Sequence, residues 1–187
     1  YGRNTMGGII NIYTKSPLQY EGTTLGASLG NYMQQNYNVS HYRQLGEKFG
    51  IAISGNYNQT DGFFTNQHTG EKADDSQSGS ARIRMEWQPK EHLSFGLIST
   101  YDRTNQGGYP YAVCDPETLR PGEVNYNDYS FYKRSMSTTG LSVKWDGKGY
   151  SIQNQMAFQT ISDHQGIDQD FTPKSTYFAR QDMKQKM

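Results

Sequence analysis

The sequence predicts an all-β protein, an antiparallel up-and-down barrel to which this chain contributes about seven or eight strands. Three observations support this prediction. Apolar and polar residues alternate with a period of two, short and long connections alternate along the chain, and aromatic residues recur at strand ends. A period of two is the spacing at which successive side chains of a strand lie on opposite faces.

The composition favours a folded chain without a strong electrostatic partner. Mean hydropathy is −0.90, but aromatic residues make up 13% of the 187 residues, whereas disordered chains combine low hydropathy with few aromatics. Basic and acidic residues number 18 each, so net charge gives no reason to expect nucleic acid as a partner. No stretch approaches the roughly 18 apolar residues of a membrane helix, and barrel strands give a much weaker hydropathy signal.

Two weaker strands come first and five clearer ones follow. The first, near 23–30, has leucine and alanine opposite small residues, and the second, near 35–45, is irregular because His41 and Arg43 interrupt its apolar face. In the last of the clear strands, Asn154 is the exception on the apolar face. The apolar faces of the five clear strands are Phe49, Ile51, Ile53 and Tyr57; Ala81, Ile83, Met85 and Trp87; Leu93, Phe95, Leu97 and Tyr101; Leu141, Val143 and Trp145; and Tyr150, Ile152, Met156 and Phe158.

The connections between these strands alternate in length. Tight turns are expected at 44–48, 89–92 and 146–149, and long polar loops at 61–77, 103–133 and 162–178. Short turns at one end and long loops at the other are typical of outer-membrane barrels, whereas loops of this length are uncommon in compact domains. The connections therefore favour a barrel that crosses a membrane.

Aromatic residues mark both ends of the apolar faces, and three strands carry them with the same eight-residue spacing. Eight residues span roughly 26 Å along a strand, or about 20 Å of height at a tilt near 40°, close to the roughly 25 Å apolar band of membrane barrels. We therefore predict two aromatic girdles at the membrane surfaces. Their members are Phe49, Tyr57, Trp87, Tyr101, Trp145, Tyr150 and Phe158.

The opposite face is too charged for the dry core of a sandwich. Arg82, Arg84, Glu86 and Lys144 alternate with the apolar residues, and burial without partners would be costly for each. A wet lumen or a polar plug would accommodate them. An open antiparallel sheet with one solvated face is the alternative for any single hairpin.

The first fifteen residues contain a dense motif. Tyr1-Gly2, Gly7-Gly8, Ile10-Asn11-Ile12 and Lys15 form a glycine turn that leads into a short strand. This segment resembles the end of the plug domain of TonB-dependent outer-membrane receptors. Downstream, Gly55-Asn56-Tyr57 followed by Asp61-Gly62-Phe63 resembles the third barrel strand of that family as it enters its second outside loop. The residues of the motif that carry the resemblance are Tyr1, Gly2, Gly7, Gly8 and Asn11.

The resemblance implies a domain division and a function. Residues 1–16 would end the plug, 17–22 would link plug and barrel, and 23–187 would form the first part of a barrel of about 22 strands. Such receptors lie in the Gram-negative outer membrane, in contact with its lipid. They import scarce nutrients, most often a ferric siderophore or another iron complex. An inner-membrane energy-coupling protein of the TonB type would act through a segment absent from this chain. Because the sequence stops inside an apparent strand, we also expect that the chain is truncated. A passive porin-like channel and a soluble all-β carbohydrate-binding module are the alternatives.

The sequence gives little support to an enzyme. The four histidines are scattered without zinc-ligand spacing, and no nucleophile elbow or phosphate loop is present. The segment 106–133 is the candidate ligand-binding loop, because tyrosine offers a large contact area and a polar tip; a self-packed loop is the alternative. Its deletion is expected to abolish ligand binding without blocking assembly. The candidate contact residues are Tyr109, Tyr111, Arg120, Tyr126, Tyr129 and Tyr132.

Two smaller features remain. Asp61, Glu71, Asp74 and Asp75 cluster in the second loop, which indicates either a solvated acidic loop or a calcium site built from oxygen ligands. No other metal or cofactor is expected. Cys114 has no partner cysteine in the chain, so it is either a solvated loop thiol or half of a bridge to a cysteine elsewhere.

Overall fold

The computed structural model describes residues 12 and 14–187, and it contains one open antiparallel sheet of eight strands in sequence order. This confirms the predicted all-β, up-and-down architecture, and there is no helix among the described residues. Accordingly, nothing in that part of the chain qualifies as a membrane-spanning helix. The strands are β1 (Gly22–Leu29), β2 (Gln35–Gln44), β3 (Phe49–Thr60), β4 (Ser76–Lys90), β5 (Leu93–Gln106), β6 (Phe131–Gly147), β7 (Tyr150–Asp168) and β8 (Phe178–Lys186).

The two ends of the sheet differ as predicted. The turn end carries the short connections 45–48, 91–92 and 148–149, and the loop end carries 30–34, 61–75, 107–130 and 169–177. The long loops are shorter than expected because the strands extend further. In particular, β7 continues to Asp168 rather than ending near residue 162, since its polar residues pair with both β6 and β8. Backbone pairing, which residue polarity does not report, sets these strand ends.

The sheet has an apolar face and a polar face, as the alternation predicted. The apolar face carries a row of Ile51, Met85, Leu97 and Leu141, which the register places side by side, and Ile53 and Ile83 are paired in the next row of this face. Much of this face is open: Leu25 is 77% exposed, Met156 58% and Phe158 56%. Contiguous exposed apolar surface of this kind marks an interaction site or a membrane contact.

Aromatic residues border the apolar face in two parallel rows. When the strand pairing is followed from β3 to β7, Phe49 of the first row is level with residue 154 of β7. The member of this row on β7 is Tyr150, which lies four residues nearer the turn end. In the second row Tyr57 is level with residue 162, and Phe158 again lies four residues nearer the turn end. From β3 to β7 there are four strand steps, so each row is displaced toward the turn end by one residue at each successive strand. With a rise of about 3.3 Å per residue and strands about 4.8 Å apart, each row crosses the strands at roughly 35° from the perpendicular.

Residues 14–20 lie across the polar face of β3 and β4. Arg82 donates a hydrogen bond from Nη2 to Thr14 Oγ1 (2.9 Å), and Arg84 donates from Nη1 to the Thr14 carbonyl (3.2 Å). The Ser16 hydroxyl donates to the carboxylate of Glu86, which also pairs with Arg84. The charged residues that the sequence placed on this face thus have polar partners, as a buried or half-buried charge requires.

Gly50 is the point of closest approach between this segment and the sheet. Pro17 is fully buried against β3, and a Cβ atom on Gly50 would lie 2.6 Å from the Pro17 carbonyl oxygen. The neighbouring Ala52 is 7% exposed. Small residues at these two positions create the space in which residues 14–20 pack.

Candidate ligand site at the loop end

The loops 61–75 and 107–130 pack against each other as one unit. Ala73, Val124 and Tyr126 form a small buried cluster between them. Asn66, 3% exposed, donates from Nδ2 to the Tyr126 carbonyl (2.8 Å) and accepts from the Tyr126 amide (3.3 Å). The Gln67 amide donates to the Val124 carbonyl (2.8 Å). A core and paired backbone groups therefore fix the position of both loops above the sheet.

Asp168 joins the loop 107–130 to the end of β7. It is 1% exposed, and its amide donates to Ser130 Oγ (3.0 Å). Its two carboxylate oxygens accept from the amides of Asp128 (3.1 Å) and Phe171 (3.1 Å). One buried carboxylate thus contacts two different loops, which fixes their relative positions.

Asp170 organises the last loop. Its carboxylate accepts from the amides of Thr172 (2.9 Å), Thr176 (3.0 Å) and Tyr177 (3.1 Å), and from both threonine hydroxyls. The hydrogen bonds from Thr176 and then Thr172 hold the pKa of Asp170 well below its usual range. A carboxylate with this many donors is a fixed anion that closes the loop 169–177.

Three aromatic rings meet beside Asp168. The Tyr109 and Tyr111 rings are parallel, with centroids 5.8 Å apart, and Phe171 approaches Tyr111 edge-on at 5.3 Å. Tyr109 donates from its hydroxyl to Gln165 Oε1 (2.9 Å), whereas Tyr111 is 51% exposed. Tyr109 is thus held by the sheet, and it supports an open ring at Tyr111 that can contact a ligand.

Polar groups lie just below these rings on the polar face of β6 and β7. The Arg134 guanidinium pairs with the Asp163 carboxylate (3.0 Å), to which the Tyr132 hydroxyl also donates (3.4 Å). Burial raises the pKa of Tyr109 and of Tyr132, and the nearby carboxylate of Asp163 adds to the shift in both, so both phenols stay protonated hydrogen-bond donors. A cavity of about 210 Å³, lined by Tyr132, Asp163, Gln165, Gln181 and Met183, opens here.

The structure separates the six predicted contact residues into different settings. Tyr132 lines the cavity at the polar face, Tyr109 donates to Gln165 of the same cavity, and Tyr111 stacks on Tyr109. Tyr129 is 63% exposed and stacks on Phe131 (5.9 Å), and Arg120 is exposed at the far part of its loop. Tyr126 is only 4% exposed, so its side chain packs in the small core between the loops and is not available to a ligand. Ligand contact stays a prediction, and the geometry now concentrates it on the first three.

The sequence missed the contribution of β7 and its loop. Gln165 and Asp163 supply a hydrogen-bond acceptor and an anion to the cavity lining, and Phe171 packs its ring against Tyr111. The sequence predicts a loop at 162–178, and nothing in its composition reports the strand pairing that carries Asp163 and Gln165 to this place. Residues 162–165 are all polar, so no period-two alternation of apolar and polar residues indicates a strand there.

The acidic cluster of the second loop has a structural use. Both carboxylate oxygens of Asp74 accept from the backbone amides of Phe63 (2.9 and 3.0 Å), and one accepts from Phe64 (2.9 Å). Burial and the nearby carboxylates of Asp74, Asp61 and Glu71 raise the pKa of Asp75. No group of three or more histidine, cysteine or acidic side chains within residues 12 and 14–187 has a geometry that could hold a metal ion. The calcium expectation therefore has no ligand set in the described chain.

Two remaining expectations concern the chain ends and Cys114. The plug-end motif residues Tyr1, Gly2, Gly7, Gly8 and Asn11 lie outside the described residues. Cys114 is an exposed free thiol. Its backbone pairs with that of Pro121 in an isolated antiparallel β-bridge. No protein-family model matches the chain.

Proposed function

We propose that this chain is the end of the plug and the first eight strands of a TonB-dependent outer-membrane receptor. The receptor would take up a ferric siderophore or another iron complex by energy-coupled import. The observation that carries the proposal is the exposed apolar face bounded by two aromatic rows. Aromatic residues at both borders of an apolar band are the usual arrangement at membrane–water interfaces.

The slope of the two rows supports a barrel wall. In a membrane, each aromatic row would lie parallel to the bilayer surface, so a row that crosses the strands at roughly 35° from the perpendicular corresponds to strands tilted by the same angle. Closed barrels require a tilt of about 35–45°. Eight residues between the rows at this tilt give roughly 22 Å of height, near the 25 Å apolar band of such barrels.

The polar face supports a filled interior rather than an empty pore. Residues 14–20 already lie on this face, held by Arg82, Arg84 and Glu86, and they immediately precede β1. An open cavity of about 750 Å³ is lined by these side chains together with Ile98 and Ser142. A plug domain that ends with residues 1–16 would occupy this space, and residues 17–22 would be the hinge between the plug and the barrel wall.

In this proposal the ligand binds at the loop end of the polar face. The exposed ring of Tyr111 offers a stacking surface, and the phenols of Tyr109 and Tyr132 and the guanidinium of Arg134 offer donors for the anionic oxygens of an iron chelate. Binding would be sensed by the plug beneath. An inner-membrane motor, driven by the proton gradient, would then pull the plug and open a path.

The first experiment tests class and site together in the full-length protein. The protein is expected in the outer-membrane fraction, soluble only in detergent, and required for growth on ferric chelates under iron starvation.

A Tyr111→Ala variant should lose about tenfold or more in chelate affinity, since aromatic anchors at binding sites contribute about 1–3 kcal/mol or more. Tyr177→Ala, which removes another exposed loop tyrosine outside the ring cluster, is the matched control.

The alternatives predict different outcomes of the same experiment. A passive porin-like channel would admit solutes after the proton gradient is abolished, whereas an energy-coupled receptor would stop. A soluble carbohydrate-binding module would remain folded and monomeric in buffer without detergent. Unchanged chelate affinity in Tyr111→Ala, with normal assembly, would remove the site assignment but leave the receptor class in place.

A further inference from the structure

A serine, a histidine and an aspartate form a hydrogen-bonded chain on β7 and β8, on the face that carries the aromatic rows. Ser162 and His164 are two residues apart on β7, so both side chains lie on this face. Asp182 of β8 is directly opposite His164 in the strand register. Ser162 Oγ lies 3.3 Å from His164 Nε2, and His164 Nδ1 lies 2.6 Å from Asp182 Oδ1. None of the three residues is buried, so a substrate can reach them.

The chemistry of these groups fixes the position of each proton. An ionised carboxylate only accepts hydrogen bonds, so the Nδ1 proton of His164 is donated to Asp182, and Nε2 accepts from the Ser162 hydroxyl. The other carboxylate oxygen of Asp182 pairs with Arg180 Nε at 3.3 Å, which holds the carboxylate from its second side. In this arrangement a serine is a nucleophile, a histidine is its general base, and an aspartate orients the histidine. Such contacts are often long before a substrate is bound.

Two cavities meet at Ser162. The first, of about 220 Å³, is lined by Ser162 and His164 together with Arg103 and Lys133. Positive charge beside a nucleophile stabilises the oxyanion that forms when a carbonyl group is attacked. The second cavity, of about 230 Å³, shares Ser162 and continues along the face to Tyr101, in the aromatic row that borders the apolar band. The site thus has room for a carbonyl group at Ser162 and for a chain that extends toward the apolar band.

We propose that Ser162, His164 and Asp182 form the active site of a hydrolase that cleaves carboxylic esters of long acyl chains, such as those of membrane lipids. The triad rests on the contacts alone, whereas the lipid substrate rests on the membrane placement under the proposed function. Sequence patterns do not indicate this site, because the histidine and the aspartate are 18 residues apart and meet only through the pairing of β7 with β8.

The reaction proceeds in two steps, with water as the only co-reactant. Ser162 Oγ attacks the ester carbonyl carbon while its proton passes to His164 Nε2, and the oxyanion forms beside the cations of the first cavity. The bond from this carbon to the alcohol oxygen then breaks, and His164 gives the proton to the leaving alcohol. Water attacks the acyl group on Ser162 in the same way, which releases a carboxylic acid and restores the serine. Asp182 acts through His164 as a positioning residue.

The test uses the full-length protein in detergent micelles and two kinds of probe. A fluorophosphonate forms a covalent bond with an activated serine as fluoride leaves, and the p-nitrophenyl esters of palmitate and acetate report turnover. We expect the wild-type protein to be labelled and to cleave the palmitate ester about tenfold or more faster than the acetate ester, since burial of the longer chain favours its binding. Ser162→Ala should lose both activities. Ser135→Ala, which removes the hydroxyl opposite Ser162 in the same cavity, should keep both.

Two further variants separate the roles of the other residues. His164→Asn should lower the rate of labelling by about 10²–10⁴-fold, the usual contribution of a general base. Asp182→Asn should lower kcat for the palmitate ester by about 100-fold or more with KM unchanged, because an amide favours the wrong histidine tautomer. Both variants should bind iron chelates like the wild-type protein, which shows that they are folded. Unchanged kcat in Asp182→Asn would remove the positioning role.

Other outcomes would overturn the proposal itself. Equal labelling of the wild-type protein and Ser162→Ala would remove Ser162 as the nucleophile, and a wild-type protein without labelling or ester turnover would not be a hydrolase. Faster cleavage of the acetate ester would indicate a dissolved ester as substrate instead of a lipid. A receptor that imports iron chelates but cleaves no ester would refute the hydrolase alone, whereas a monomer soluble in buffer would refute the receptor and, with it, the lipid substrate.

Discussion

The two faces of this sheet share one backbone, one register and alternate residues of the same strands, yet they have opposite surroundings. Ile83 lies on an open apolar face, while the next residue, Arg84, donates to Thr14 and pairs with Glu86. The polar face is the one covered by another part of the chain, and the apolar face is the one left open. This is the inverse of a soluble sheet protein, where the apolar face is covered. The difference indicates that the apolar face is covered by something other than the described part of this chain.

The comparison is tested most strongly by placing a charge on each face at neighbouring positions. Leu141 lies four residues from Trp145 on the apolar face of β6, near the middle of the proposed band, and Ser142 faces the polar cavity. Leu141→Arg should destabilise the full-length protein in bilayers by about 2–4 kcal/mol, because a charge at mid-membrane loses its water. Ser142→Arg should cost less than about 1 kcal/mol, since a wet or polar interior accepts it.

Denaturant titration of both variants in the same bilayer provides the measurement. The comparison of the faces would fail if the two arginines had equal effects. A larger effect at Ser142 would reverse it and place the dry side of the sheet on the face that carries Arg82 and Arg84.

A second pair of variants tests whether residues 14–20 belong on the polar face. Gly50→Ala would place a Cβ 2.6 Å from the Pro17 carbonyl, whereas the nearest atom to a Cβ on Gly55, on the apolar face of the same strand, is 3.4 Å away. Overpacking of this kind costs about 1–3 kcal/mol, so Gly50→Ala should displace residues 14–20 or destabilise the protein by that amount. Gly55→Ala is the matched control, and hydrogen exchange of residues 14–20 reports the displacement. Unchanged protection in Gly50→Ala would contradict the docking of this segment.

The sequence determined some parts of this structure well and others poorly, for physical reasons. The alternation of residues 81–88 and 93–101 was enough to predict β4, β5 and their faces, because side-chain period and strand geometry coincide. Charge on Arg82 and Arg84 predicted a polar environment but not Thr14 as the partner, since that contact joins distant parts of the chain. Similarly, the tyrosines of the loop 107–130 predicted an aromatic site, whereas its packing on Asn66 and Asp168 depends on tertiary contacts with no local periodicity. Strand ends were the least predictable, as β7 shows.

The loop end has a small core of its own, unlike the open apolar face, and Asn66 is its most sensitive point. Asn66→Ala would leave the Tyr126 amide and carbonyl without their side-chain partner in a buried setting, at a cost of about 1–3 kcal/mol. We expect faster proteolysis of the loops 61–75 and 107–130 and weaker ligand binding, with the strands unaffected. Asn58→Ala, at an exposed position of β3, is the control. Equal cleavage of the wild-type protein and Asn66→Ala would show that the loops are not held by this contact.

The smallest expected effect is a local pH dependence of the loop 169–177. Hydrogen bonds from Thr176 and Thr172 lower the pKa of Asp170 in the folded protein below its unfolded value, which is about 3.9. The ionised carboxylate therefore stabilises the loop at all pH values above the unfolded pKa, and this contribution is lost as the pH falls through the folded pKa. Hydrogen exchange at the Thr176 and Tyr177 amides should be slow from pH 7 to about pH 4 and should accelerate, relative to the intrinsic rate, only below that. In Asp170→Asn, which keeps the shape but not the charge, protection should be weaker and independent of pH over this range. Loss of protection already near pH 6 in the wild-type protein would exclude Asp170 as the group that holds the loop.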